Sequence, residues 1–180
     1  MFQALENIYF SIKKASGGGS GGGSGNEYNA EIETTIVGSE VCDLQKYVKR
    51  LPKGFKISGT TCANMFNGAS ALTEFPEGVD TSQVINMMQM FYGCSNLKDV
   101  YPFSMASVVN GTISRHYMMF SGCTLLTDEA LNNIMASCIT GIKITKNKTL
   151  VELGLNNDQI ARCKTLSNYQ AFYNAGWRAS

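Results

Sequence analysis

The 180-residue chain has a single histidine, and none of its six cysteines pair as C-x-x-C. That leaves too few ligands at the usual separations for a zinc site. Charge is also scarce: 15 Lys/Arg against 14 Asp/Glu give a net charge of +1, and the only basic run is the short "KYVKR", residues 46–50. A nucleic-acid groove needs clustered positive charge, so none is expected. No run of about 18 apolar residues occurs, so membrane insertion is not expected either. The stretch "MFQALENIYF" lacks a basic start and carries Glu6 among its apolar residues, and it does not read as a secretory signal. No cofactor motif is present, and no cofactor is expected.

Glycine and serine, by contrast, are concentrated in one place. Residues 17–25 contain nothing else, in two near-identical GGGS units. Such a segment behaves as a flexible coil. Its regularity reads as an engineered linker, so the chain divides into a fused peptide (1–16), a tether (17–25) and a domain (26–180). In the peptide, Phe2, Leu5, Tyr9 and Ile12 fall on one helical face. The fourteen residues of "MFQALENIYFSIKK" (1–14) are too few to hold a helix alone in water. The peptide is expected to dock on the same chain or on a neighbour's copy, or to add as a strand to an open edge. The other reading is a truncated end of another protein, kept for assembly or expression.

The domain contains an internal repeat. "CANMFNGASALTEF" (62–75), "MMQMFYGCSNLKDV" (87–100) and "HYMMFSGCTLLTDE" (116–129) share the frame M-F-x-G-[AC]-[ST]-x-L-[TK]. Met65, Met90 and Met119 share a column. So do Phe66, Phe91 and Phe120, then Gly68, Gly93 and Gly122, then Ala69, Cys94 and Cys123, then Leu72, Leu97 and Leu126. The spacings are 25 and 29 residues, with four extra residues in "YPFSMASVVNGTIS". Units of this kind bury their apolar faces on one another, and identical positions form ladders. Glycine permits a turn, the small Ala or Cys fits beneath the next coil, and Leu starts a short strand. The matching Ala69 marks Cys94 and Cys123 as buried small hydrophobes, with a disulfide or a reactive thiol as the alternative. His116 shares its column with Cys62 and Met87 and is expected inside the core or at its margin. No Ser/His/Asp or Cys/His arrangement stands out, so no catalytic residue is assigned.

"VDTSQVINMMQMFYGCSNLKDV" (79–100) resembles the BspA-type leucine-rich repeat, whose pattern is close to D-T-S-x-V-x-N-M-x-x-M-F-x-G-C-S-x-L. Asp80, Thr81, Ser82, Val84, Asn86, Met87, Met90, Phe91, Gly93, Cys94, Ser95 and Leu97 match it. The flanking units depart from it: Cys62 and His116 replace the first Met, and Thr61 and Arg115 replace the Asn. The resemblance covers roughly residues 57–127. It implies an α/β fold, a short leucine-rich-repeat solenoid of about three degenerate units between an N-terminal cap and a mainly helical C-terminal cap. Proteins of this family are common on bacterial surfaces and in bacteriophages, where they serve adhesion and recognition. The segment from the third unit onward resembles C-terminal parts of phage tail and other virion-associated proteins.

Around the repeats, "AEIETTIV" alternates as a strand, and "SEVCDLQKYVKRLP" reads as a helix capped by Ser39 and ended by Pro52. "TDEALNNIMASCI" reads as a helix capped by Thr127, with Leu131, Ile134, Met135 and Cys138 on one face. "GIKITKNKTLVELGL" reads as two strands about a turn at 146–148. Two more helices follow, capped by Asn157 and Ser167, the last ended by Gly176.

The function expected is a non-enzymatic recognition or structural module, virion- or tail-associated, carrying a tethered peptide ligand or assembly element. Its partner would be a protein or a cell surface. A bacterial surface adhesin is the second reading. The third is an enzyme using Cys42 or Cys163 with His116. The recognition surface is placed on the outward side of the strands, at Thr73, Glu74, Lys98, Asp99 and Tyr101.

Overall fold

The computed structural model describes residues 35–36, 51, 56–57, 59–109, 115–139 and 148–180. The fused peptide, the Gly/Ser tether, the helix expected over 39–52 apart from Leu51, and the first strand expected after residue 140 lie outside these residues. The described elements are β1 (Thr35–Ile36), β2 (Lys56–Ile57), β3 (Glu74–Phe75), β4 (Asp99–Val100), α1 (Ala106–Val109), α2 (Asp128–Ile139), β5 (Lys148–Thr149), α3 (Asn157–Cys163), α4 (Tyr169–Asn174) and β6 (Trp177–Arg178). The strands pair in parallel, β1 with β2, β3 with β4 and β5 with β6. Among the described residues the sheets are these three two-stranded pairs.

Most of the regularity lies in the turns rather than in the strands. In the first unit, the amides of Cys62, Asn64, Phe66 and Gly68 donate to the carbonyls of Asn86, Met88, Met90 and Tyr92 at 2.7–2.9 Å. In the second, Met87, Gln89, Phe91 and Gly93 donate to Arg115, Tyr117, Met119 and Ser121 at 2.7–3.0 Å. The amides between them close turns inside the unit: Met65 to Cys62 O, Asn67 to Asn64 O and Ala69 to Phe66 O. Alternate amides therefore serve the turn and the neighbouring unit, which accounts for backbone polar groups that would otherwise be buried without partners.

This zigzag requires a left-handed residue every fourth position. The glycine column supplies one, at φ +76°, +72° and +82° for Gly68, Gly93 and Gly122. The other falls on Asn64, Gln89 and Met118, at φ +59°, +54° and +53°. Left-handed Gln and Met are uncommon, and the surrounding ladder holds them there. The glycine column also lets the units approach, since a Cβ on Gly122 would stand 3.2 Å from Gly93 Cα.

Inside, the repeat columns are buried. Phe91 stacks between Phe66 (centroids 5.6 Å apart, 10° between planes) and Phe120 (5.4 Å, 13°). Phe75 closes on the Phe91 edge at 5.1 Å. Met65, Met90, Met119 and the three Leu of the frame are buried around them. The small-residue column has a polar use as well: the thiols of Cys94 and Cys123 donate to Phe66 O and Phe91 O, each at 3.0 Å. The polar letters of the frame tie down the turns. Asp80 Oδ1 accepts from Ser82 N at 2.9 Å, and Asn86 Oδ1 from Met88 N at 3.1 Å. Thr81 Oγ1 exchanges hydrogen bonds with Ser104 O and N at 2.8 Å.

The strand expected after each frame Leu forms in the first two units. After Leu126 the chain turns into α2 instead, because Thr127 Oγ1 accepts from Ala130 N (3.1 Å) and starts a helix. Leu131, Ile134, Met135 and Cys138 are buried on its inner face. The buried Ser137 accepts from Phe103 N at 3.0 Å and donates to Asn133 O at 2.8 Å.

Beyond α2 the structure corrects three expectations. Residues 148–155 add a further strip to the ladder: Met118 N and Phe120 N donate to Glu152 O (2.7 Å) and Leu153 O (2.8 Å). The cap of α3 is Asn156, not Asn157; its side chain accepts from Gln159 N while the Gln159 side chain accepts from Asn156 N, a capping box. Asn168 rather than Ser167 is the residue before α4, and it makes no side-chain cap bond. Gly176, at φ +101°, stands just past the end of α4, as expected, and leads into β6.

Candidate functional site

Two features merit a chemical reading: the outward face of β3–β4 and the surroundings of His116.

Parallel pairing sets Glu74 opposite Asp99 and the buried Phe75 opposite the buried Val100. Neighbouring parallel strands stand about 4.8 Å apart, so Glu74 and Asp99 form a row on the outer face. Asp99 is exposed, and its Oδ1 accepts from Thr127 Oγ1 at 3.3 Å. Lys98 is exposed, and its carbonyl accepts from Thr127 N at 3.0 Å. Thr73 is half-buried, and its carbonyl accepts from the amides of Lys98 (3.0 Å) and Asp99 (3.2 Å). Tyr101 is half-buried, its amide bonded to Phe75 O at 3.1 Å. Of the five residues read from the sequence, Glu74 and Asp99 lie in the paired strands, Thr73 and Lys98 directly precede them, and Tyr101 directly follows β4. The peptide residues Phe2, Leu5, Tyr9 and Ile12 lie outside the described residues.

His116 is fully buried, in one column with Cys62 and Met87. Its ring meets Trp177 edge-on at 5.4 Å (69°), and Trp177 stacks on Phe172 at 5.2 Å. Neither ring nitrogen has a hydrogen-bond partner; the nearest carboxylate, Glu152 Oε2, stands 3.7 Å from Nε2. Burial lowers the imidazole pKa to about 4, the nearby Lys148 charge acts the same way, and Glu152 opposes both. The ring is therefore neutral at pH 7.

The thiols answer to burial too. Desolvation pushes Cys62 up to about 12 and Cys163 up to about 11, and raises Cys138 well above the ordinary range. Cys123 is raised chiefly by its contact with the Cys94 thiol and then by burial. All five described cysteines are buried and free. A neutral imidazole and thiols with raised pKa values are the reverse of the thiolate–imidazolium pair that a cysteine nucleophile uses. Cys42 lies outside the described residues. Among the described residues no group of three His, Cys, Asp or Glu side chains is placed to hold a metal ion.

The sequence reading passed over a second outward face, on the turns. Ile85, Met88, Tyr92 and Tyr117 are large apolar side chains, each about two-fifths exposed. Met88 and Tyr117 follow Met87 and His116 in the same outward column. The buried positions Met87, Met90, Phe91 and Cys94 fall at i, i+3, i+4 and i+7, which imitates a helical face, so the period alone does not mark the exposed Met88 and Tyr92 as a face of stacked turns. Lys148, Glu152 and Trp177 around His116 carry no local signal, since they come from residues more than thirty positions away.

Comparison with protein-family models, with curated proteins and with solved structures finds no match to the chain.

Proposed function

We propose that the chain is a non-enzymatic recognition module: a short solenoid of leucine-rich-repeat kind, similar to the BspA type, bearing residues 1–16 as a tethered ligand or assembly element. The observation that carries this reading is the in-register pairing of Glu74 with Asp99. It sets side chains from the outward columns of the repeat frame in rows at a fixed spacing, while the histidine and the described cysteines are spent on the interior. Such rows suit the contact of an extended surface with a protein partner. A phage particle is the favoured setting and a bacterial surface the alternative; both follow from the resemblance of residues 79–100.

The test is a chain with Lys98, Asp99 and Tyr101 replaced together by Ala. It is compared with the unaltered chain for binding to isolated bacterial cell envelopes and to purified virion proteins. The reading expects binding to be lost with the melting temperature held within a few degrees. Equal binding by both chains would remove the strand face from the site.

A further inference from the structure

We propose that the turn face formed by Met88, Tyr92 and Tyr117, with Ile85 at its edge, is the docking surface for residues 1–16 of the same chain. The proposal rests on the tethered-peptide reading above and names its receptor surface.

The face is unusual in two respects. Of the seven large apolar side chains exposed among the described residues, these four fall in two adjacent units. Single exposed apolar residues need no explanation, but a cluster marks an interaction surface. The face is also almost free of charge. Residues 57–73, 84–97 and 116–127 contain no Asp, Glu, Lys or Arg. The charges at its border are Arg115 and Glu152, whose carbonyls accept from the amides of Met87 and Met118.

Residues 1–12 match this surface. They carry one charge, Glu6, and four apolar side chains on one helical face, Phe2, Leu5, Tyr9 and Ile12. In a helix those four make a line about 15 Å long. Four side chains of this kind at two-fifths exposure offer on the order of 300 Å². A stable dimer needs about 800 Å² from each partner, so a second copy of the domain is poorly served by the patch. One face of a short peptide is well served by it.

The tether reaches. Nine Gly/Ser residues extend to at most about 30 Å. The β1–β2 pair precedes the first unit in the chain, and the units succeed one another at roughly 4.8 Å, the parallel-strand spacing. Met88 belongs to the second unit, a fraction of the tether's length along the row.

The test uses the full chain with methionine methyl groups labelled for NMR. The Met88 methyl is expected to show through-space contacts with the rings of Phe2 or Tyr9. Amides within 1–16 should exchange at least tenfold more slowly than random coil. The double variant Met88→Ser/Tyr117→Ser changes only exposed side chains; unchanged exchange at Phe66, Phe91 and Phe120 confirms that it folds. In it, both the contacts and the protection should vanish. Random-coil exchange of 1–16 in the unaltered chain would overturn the proposal and the tethered-peptide reading together. Protection that persists in the double variant would overturn the surface and leave that reading standing. Protection that fades on dilution, with a dimer mass by light scattering, would make the neighbour's peptide the occupant and overturn docking within one chain.

Discussion

Gly154 and Ser121 meet backbone to backbone: a Cβ on Gly154 would lie 2.6 Å from Ser121 N and 2.9 Å from Ser121 Cα. Gly154 also has φ +86°. Gly68 shares the left-handed conformation, yet a Cβ there meets nothing within 4 Å. The two substitutions to alanine therefore separate conformational strain from collision. Gly68→Ala should cost about 1–2 kcal/mol, the strain term alone. Gly154→Ala adds overpacking against a backbone that has no rotamer to change, and should cost about 3 kcal/mol or more. Urea unfolding of the two variants measures the difference, and equal losses would mean that the 148–155 strip yields.

The central ring of the ladder is Phe91, with a ring on each flat face and Phe75 at its edge. Phe91→Ala should cost about 3–5 kcal/mol in denaturant unfolding. A loss below about 1 kcal/mol would show that Phe91 is not held between Phe66 and Phe120.

His116 is a polar group buried without a partner, in a column that elsewhere holds Cys62 and Met87. Replacing it by the residue of the second unit, His116→Met, should stabilise the fold by about 1–3 kcal/mol. The pH dependence gives an independent sign. The folded pKa of about 4 lies below the unfolded value near 6.5, so the unfolded state binds more protons between them. Stability should fall as pH drops from about 6.5 towards 4, and His116→Met should flatten that slope. Melting temperatures of both chains at pH 6.5 and pH 5, above most carboxylate titrations, measure it. Parallel profiles would mean that His116 is hydrated or hydrogen-bonded.

Six thiols should titrate in the denatured, non-reduced protein. In the folded protein Cys62, Cys94, Cys123, Cys138 and Cys163 should label slowly, because all five are buried away from the reagent, and burial also raises the pKa of Cys62 and Cys138. Cys123→Ala places at that position the residue found at Ala69 and removes the donor to Phe91 O, at a cost of about 1 kcal/mol. Rapid labelling of Cys94 or Cys123 in the native state would contradict their place in the ladder.

The interior ladder was legible because identical side chains recur at fixed intervals and can be aligned by eye. The thiol contact to the preceding phenylalanine carbonyl was not, since Ala69 fills the same column without a donor. Nor were the left-handed Gln89 and Met118, because these residue types do not choose that conformation; the ladder imposes it. The strip at 148–155 lacks the Met-Phe pair and was read as an ordinary strand. The Asn156 cap was readable from the Asn-x-x-Gln spacing to Gln159, which outweighs the identical neighbour at 157. At the strand face, Glu74 and Asp99 pair outward against the buried Phe75 and Val100, whereas Thr73, Lys98 and Tyr101 flank the strands, where alternation does not fix their direction. The setting of His116 comes from β5, β6 and the turn after β5, which no local period connects to it.

The alternation of amide targets has a mechanical consequence. Bonds from Cys62, Asn64, Phe66 and Gly68 into the second unit run along the direction in which the units succeed one another. A pull in that direction meets the junctions in series, so the weakest parts first while the others remain shut. Each parting releases the chain of one unit, 25 or 29 residues. At full extension that is roughly 80–105 Å of slack. Stretched between its ends, the repeat region would pay out in separate teeth of about that length rather than in one drop.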